Sequence, residues 1–146
     1  NCKVGISKDA VYLKMNKELS PTNIKTMPYP GFPTDMQSQF VTLLTVARGT
    51  SIVVENIFEN RFKYVNELIR MGAKITLEGK TAIIQGVDKL KSANVEAKDL
   101  RGGAALVSAA LMADGISTVS GIMYIKRGYE NLVEKLTILG AKIREE

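Results

Sequence analysis

The sequence predicts an α/β (α+β) domain built from repeated βαβαββ-like units. Three observations carry that prediction. First, residues 40–75 and residues 106–143 share one form: an apolar helix, a glycine, a β-branched strand, an arginine, a second amphipathic helix, then Gly-Ala-Lys-Ile. Gly49 and Gly115 lie 66 positions apart, as do Arg61 and Arg127, while Gly72 and Gly140 lie 68 apart. Second, the pattern continues upstream, where Cys2-Lys3-Val4 resembles Ala73-Lys74-Ile75 and Asn23-Ile24 resembles Asn94-Val95, both at an offset of 71. Third, helical periodicity alternates along the chain with short β-branched runs, the signature of mixed layers. The chain is therefore expected to be a single partial domain and a segment of a longer repeat protein. Its units run approximately over 1–27 (the end of one), 28–98 and 99–146 (truncated).

Each element follows from local chemistry. Residues 36–47 read as an apolar-rich helix and residues 51–55 as a β-branched strand. Over 61–71, Phe62, Val65, Leu68 and Ile69 fall at helical spacing, and Gly72 is a natural C-terminal stop. Residues 74–77 and 81–85 then form a hairpin across Glu78-Gly79-Lys80. A strand at 94–97, a helix over 100–113, a strand at 117–123 and a helix over 127–139 complete the order. The proline-rich stretch MPYPGFPTDMQ carries Tyr29 and Phe32, which argue for a packed, rigid loop rather than a linker.

Composition narrows the chemistry. The 146 residues are 45% hydrophobic and 24% charged, values of a globular protein rather than a disordered or fibrous one. No apolar run approaches the roughly 20 residues of a membrane helix, and residues 1–10 lack the charged-then-apolar pattern of a secretory leader. A soluble, cytoplasmic protein without a membrane partner is expected. With no histidine and one cysteine, Cys2, the chain builds neither an internal disulfide nor a Cys/His zinc site. Serine or cysteine nucleophiles served by histidine are excluded too, so acid/base chemistry falls to Asp, Glu, Lys, Tyr or Arg. No metal or cofactor is expected. The net charge of +5 suits anionic partners. It is spread without a Lys/Arg block or a basic stripe interleaved with aromatics, so no nucleic-acid partner is expected.

Two constellations stand out. Thr34-Asp35-Met36-Gln37 lies where the rigid loop meets a helix. It reads as a capping box, with Thr34 as N-cap and Gln37 reaching back to it, or as a carboxylate, Asp35, held by a stiff loop as a general base toward a hydroxyl. Arg61, Arg101 and Arg127 are each predicted at the first turn of a helix, where a cation opposes the dipole. Either three helix starts face one cavity that takes a carboxylate or phosphate, or each arginine pairs with a nearby acid among Glu59, Asp99 and Glu130. Gly102-Gly103 weakens the following helix, through close approach of a ligand or a neighbouring helix, or through a frayed first turn. Lys126 reads as solvated, and Cys2 as a small buried hydrophobe.

Read in order, PYPGFPTDMQ (28–37), FENRF (58–62), DLRGGAALV (99–107) and RGYENLVEKLTILGAKI (127–143) closely resemble the UDP-N-acetylglucosamine enolpyruvyl transferases of the EPSP synthase superfamily. The resemblance runs along nearly the whole chain, onto the C-terminal part of that family. It implies an inside-out domain, helices packed inward and sheets outward. It also implies transfer of the enolpyruvyl group of phosphoenolpyruvate to the 3-hydroxyl of UDP-N-acetylglucosamine, the first committed step of bacterial peptidoglycan synthesis. On this resemblance Asp35 is the base that contacts the sugar hydroxyl, and Ile57 meets the UDP-sugar through its backbone. Arg61, Arg101 and Arg127 are active-site arginines, the last closing on phosphoenolpyruvate, and Asp99 is an acidic partner of that cluster. The family's cysteine loop and its N-terminal Lys-Asn pair have no counterpart here, and Lys126 stands where the family carries Asp or Glu. The missing N-terminal domain is thus an implied partner, and the chain alone is expected to be inactive and to self-associate through its open apolar faces. A 3-phosphoshikimate enolpyruvyl transferase and a non-catalytic anion-binding module are the alternatives.

Overall fold

A computed structural model describes residues 2–15 and 18–146. β1 (Cys2–Ile6) and β2 (Val11–Met15) form an antiparallel hairpin, Cys2 opposite Met15 and Ile6 opposite Val11. β3 (Ile24–Lys25) runs parallel to β4 (Thr50–Val54), with a 3-10 turn (Thr34–Met36) and α1 (Gln37–Leu44) between them in sequence. α2 (Val65–Arg70) leads to β5 (Lys74–Glu78) and β6 (Thr81–Gln85), which close the sheet in the order β3-β4-β6-β5. β7 (Asn94–Glu96), α3 (Leu100–Met112) and β8 (Thr118–Ser120) follow, with β7 and β8 parallel, and then α4 (Ile122–Lys126) and α5 (Leu132–Ile138).

Period-two burial orients the main sheet. Ser51 and Val53 of β4 are buried opposite Ile84 and Ala82 of β6, while Thr50 and Ile52 face solvent. On the inner face α2 adds Val65 and Leu68, and α1 adds Val41 and Leu44. α3 is enclosed from Gly102 to Val107 and again at Ala109, its small residues letting neighbouring helices approach closely. The Thr42 hydroxyl of α1 donates to the Ala105 carbonyl of α3. α1 and α3 thus occupy the interior and the sheet lies outside, the inside-out arrangement.

The hairpin of residues 74–85 and the glycine stop at Gly72 form as expected. Gly72 (φ +89) and Gly140 (φ +94) end α2 and α5 with the same pair of bonds. In each the glycine N–H reaches a carbonyl three residues back, Ile69 or Thr137, and the next N–H reaches five back, Leu68 or Leu136. Helix starts differ from expectation. The helices expected at 61 and 127 begin at Val65 and Leu132: residues 61–64 form turns, and inside the second span Asn131 (φ 51) takes a left-handed conformation that helical periodicity does not register. The strand expected over 117–123 stops at Ser120, and Ile122–Lys126 is helix. Gly121 makes that switch at φ +74, where an added Cβ would stand 2.3 Å from the Ala97 carbonyl oxygen.

The proline-rich loop packs through Phe32, edge-on to Phe40 at 5.0 Å, whereas Tyr29 is 97% exposed and contributes nothing to packing. Cys2 is exposed rather than buried, since both faces of the β1–β2 hairpin lie open. At Gly103 an added Cβ would meet Ile125 of α4 at 2.7 Å, so the Gly-Gly pair serves helix approach rather than a ligand or fraying. Gly121→Ala should destabilise the protein by about 1–3 kcal/mol, as a strained backbone position would. Urea unfolding checks this, and an unchanged midpoint would mean that the β8–α4 corner relaxes freely.

Candidate active site

The turn that carries Asp35 is not closed by a capping box. Pro33 precedes it with no side-chain cap, and the Thr34 hydroxyl donates to Glu55 Oε2 at 2.9 Å. Gln37 is buried, and its Oε1 accepts from the Tyr64 hydroxyl at 2.9 Å. Both partners are distant in sequence, so the turn is tied to the body of the protein rather than to itself.

Glu55 organises this region. Alternation from Ser51 and Val53 carries it onto the buried face as β4 ends, and it is 1% exposed. Its Oε1 accepts from Thr26 Oγ1 and from the backbone N–H groups of Ile57 and Phe58, at 2.9, 2.9 and 3.1 Å, and its Oε2 accepts from Thr34. Burial raises the pKa of this carboxyl. The bonds from Ile57, Thr34, Phe58 and Thr26 outweigh it and hold the group below its ordinary value of 4.5. Beside it, Tyr64 is held well above its ordinary 10.0, first by burial and then by the negative charges of Asp99 and Glu55, with Arg61 acting the other way.

The Glu55-anchored loop delivers Arg61. Its guanidinium lies over the Phe58 ring, 4.4 Å from the centroid. Arg101 stands in the first turn of α3. Both converge on Asp35 Oδ1, Arg101 Nε at 2.6 Å and Arg61 Nη2 at 3.9 Å, with the Asp35 side chain 61% exposed. The two arginines therefore share one carboxylate from the preceding turn, and among the described residues none of Glu59, Asp99 and Glu130 pairs with the arginine beside it. Asp99 instead caps α3, accepting from the Gly102 N–H at 2.8 Å.

Arg127 is not brought into this pair. It caps the C-terminus of α4, where a cation suits the helix dipole, and it is exposed with no ion pair among the described residues. Gly128 beside it stands against Leu100 at the start of α3, and Tyr129 accepts from Gln39 Nε2 of α1. Of the three arginines, Arg101 alone occupies a helix first turn, so the expected ring of three helix starts does not form. Lys126 is exposed and pairs with Glu145. Ile57 is at the surface with its N–H committed to Glu55. Among the described residues no cluster of three or more His, Cys, Asp or Glu is placed to hold a metal, and no helix is long and apolar enough to cross a membrane.

The family model described as EPSP synthase (3-phosphoshikimate 1-carboxyvinyltransferase) matches residues 2–136. The chain belongs to the EPSP synthase family. It is 57% identical over 141 residues to a UDP-N-acetylglucosamine 1-carboxyvinyltransferase of Desulfofundulus thermocisternus, a match covering 97% of this chain and 58% of that protein. A second enzyme of that name, from Carboxydothermus hydrogenoformans, is 56% identical over 135 residues, with 92% and 32% covered. Among solved structures, the enolpyruvyl transferase NikO from Streptomyces tendae superposes with a TM-score of 0.89 at 30% identity, over 98% of this chain and 33% of that one. The EPSP synthase fold is thus present in a chain that spans a third to little more than half of these relatives' lengths.

The sequence reading passed over Glu55, Thr26 and Tyr64, and took Gln37 only as a capping-box partner. Glu55 carried a signal all the same, an acid in phase with the buried positions of a β-branched strand. Because its folded pKa lies below 4.5, its stabilising contribution is complete above about pH 4.5 and is lost as pH falls through the lower folded value. Glu55→Gln should cost about 1–3 kcal/mol at neutral pH and flatten the acid limb of stability. Urea midpoints measured from pH 7 to pH 3 check this, and a variant as acid-sensitive as the parent would contradict it.

Proposed function

We propose that this chain is part of an enzyme that transfers the enolpyruvyl group of phosphoenolpyruvate to the 3-hydroxyl of UDP-N-acetylglucosamine, a cytoplasmic step of peptidoglycan synthesis. The carrying observation is Asp35, a mostly exposed carboxylate at the mouth of a rigid turn, flanked by the guanidinium groups of Arg101 and Arg61. The names of the relatives at 56–57% identity support the UDP-sugar over 3-phosphoshikimate as acceptor.

In this reading Asp35 takes the proton of the sugar hydroxyl as the hydroxyl oxygen bonds to C2 of phosphoenolpyruvate, while C3 gains a proton from an acid on the other half of the cleft, outside this chain. Loss of a C3 proton and of phosphate then restores the double bond, leaving the enolpyruvyl ether and inorganic phosphate. Arg61 and Arg101 supply positive charge for the carboxylate and phosphate, and Arg127, exposed on the α4 cap, closes on phosphoenolpyruvate from outside the pair. Ile57 offers its backbone to the UDP-sugar, and Asp99 holds the α3 terminus from which Arg101 projects. Residues 28–98 are read as a whole repeat unit, flanked by the end of one and the start of another. The N-terminal domain of the complete enzyme supplies the other half of the cleft.

In the complete enzyme Asp35→Ala should lower turnover at least about a hundredfold, with UDP-N-acetylglucosamine and not shikimate 3-phosphate as the acceptor. Retained turnover would favour a non-catalytic binding module. Residues 1–146 alone should release no phosphate from the two substrates, and release by that chain would contradict the shared cleft. Val4, Ile6, Val11, Leu13 and Met15 leave an apolar hairpin open to solvent, so the isolated chain should also self-associate. A clean monomer by light scattering at high concentration would count against that.

A further inference from the structure

We propose that Thr34 and Glu55 are positioning residues for Asp35, setting its carboxylate against the arginine pair and the acceptor hydroxyl. The inference rests on the reading of Asp35 as the base and concerns how it is held. Asp35 occupies the middle of a three-residue 3-10 turn that lacks a side-chain cap, and its side chain is mostly exposed, so its own packing fixes little. Its neighbours fix it instead. On one side the Thr34 hydroxyl donates to Glu55 Oε2, and on the other Gln37 is tied to Tyr64.

The opposite oxygen of the same Glu55 carboxylate holds Thr26 and the N–H groups of Ile57 and Phe58. From that second segment comes Arg61, lying over the Phe58 ring and 3.9 Å from Asp35. One buried carboxylate therefore spans the two segments whose side chains meet at the surface. The Thr34 bond joins the turn of Asp35 to this network. A proton acceptor displaced by about 1 Å can lose two orders of magnitude in rate. Glu55 is inaccessible to any ligand, so it acts through Asp35 and Arg61 rather than on substrate.

The test uses the complete enzyme with Thr34→Val, which keeps the side-chain shape and removes the hydroxyl, with Thr34→Ser and Asp35→Ala beside it. Thr34→Val should lower kcat about tenfold or more while KM for the sugar nucleotide moves less than about threefold, and Thr34→Ser should restore most of the rate. In the Asp35→Ala background Thr34→Val should cost almost nothing further, because both losses pass through one group. Turnover of Thr34→Val within about twofold of the parent would overturn the proposal. So would losses that multiply in the double variant, since Thr34 would then act elsewhere. Full turnover in Asp35→Ala would overturn the reading of Asp35 and this inference with it, whereas an inactive Asp35→Ala beside a fully active Thr34→Val would remove the positioning role alone.

Discussion

A carboxylate shut away from water is tolerable only when donors surround it, and the buried Glu55 meets that condition with four. Leaving the charge unpaired would cost several kcal/mol. Satisfying it requires the side chains of Thr26 and Thr34 and the backbone of Ile57 and Phe58 to stay where they are. These donors come from the end of β3, from the turn before α1 and from the loop after β4. None of those segments has a full hydrogen-bond ladder of its own. The charge at the end of β4 thus gives irregular chain the definition that strands and helices obtain from their ladders, and the groups at the surface inherit it.

The surface side of this arrangement is soft by contrast. Asp35 pairs with Arg101 at 2.6 Å and stands 3.9 Å from Arg61, in an exposed setting where an ion pair contributes about 0–1 kcal/mol. Two cations sharing one anion leave an excess of positive charge that an anionic ligand would complete. Under the proposed function, a weak pair over a firm base would let the carboxylate exchange an arginine for a hydroxyl without the backbone moving.

Much of the fold was legible because its determinants are local. A β-branched run marked β4, the turn at Glu78-Gly79-Lys80 marked the β5–β6 hairpin, and the glycine stop at Gly72 marked the end of α2. The start of α5 was not legible, because Asn131 breaks the helix through backbone conformation while the apolar spacing continues past it, and α2 starts at Val65 rather than 61, after turns over 61–64. The strand misassigned at 121–123 has a similar cause, since Ile-Met-Tyr-Ile suits either period and Gly121 decides by its close approach to Ala97. At the site, Asp35, Arg61 and Arg101 were picked out and do come together. Their pairing was not foreseen, because nearby acids were weighed as partners for each arginine. Thr34 and Gln37 looked like a capping box for the same reason, their true partners lying 21 and 27 residues away.

Amide hydrogen exchange at Ile57 and Phe58 tests the central claim most directly, since both N–H groups lie in irregular chain at or near the surface and owe their protection to Glu55. The account predicts exchange as slow as in the buried strand β4, reached only through cooperative opening. Exchange at the rate of an open loop, with β4 still protected, would contradict it and leave Asp35 and Arg61 without the anchor on which the site depends.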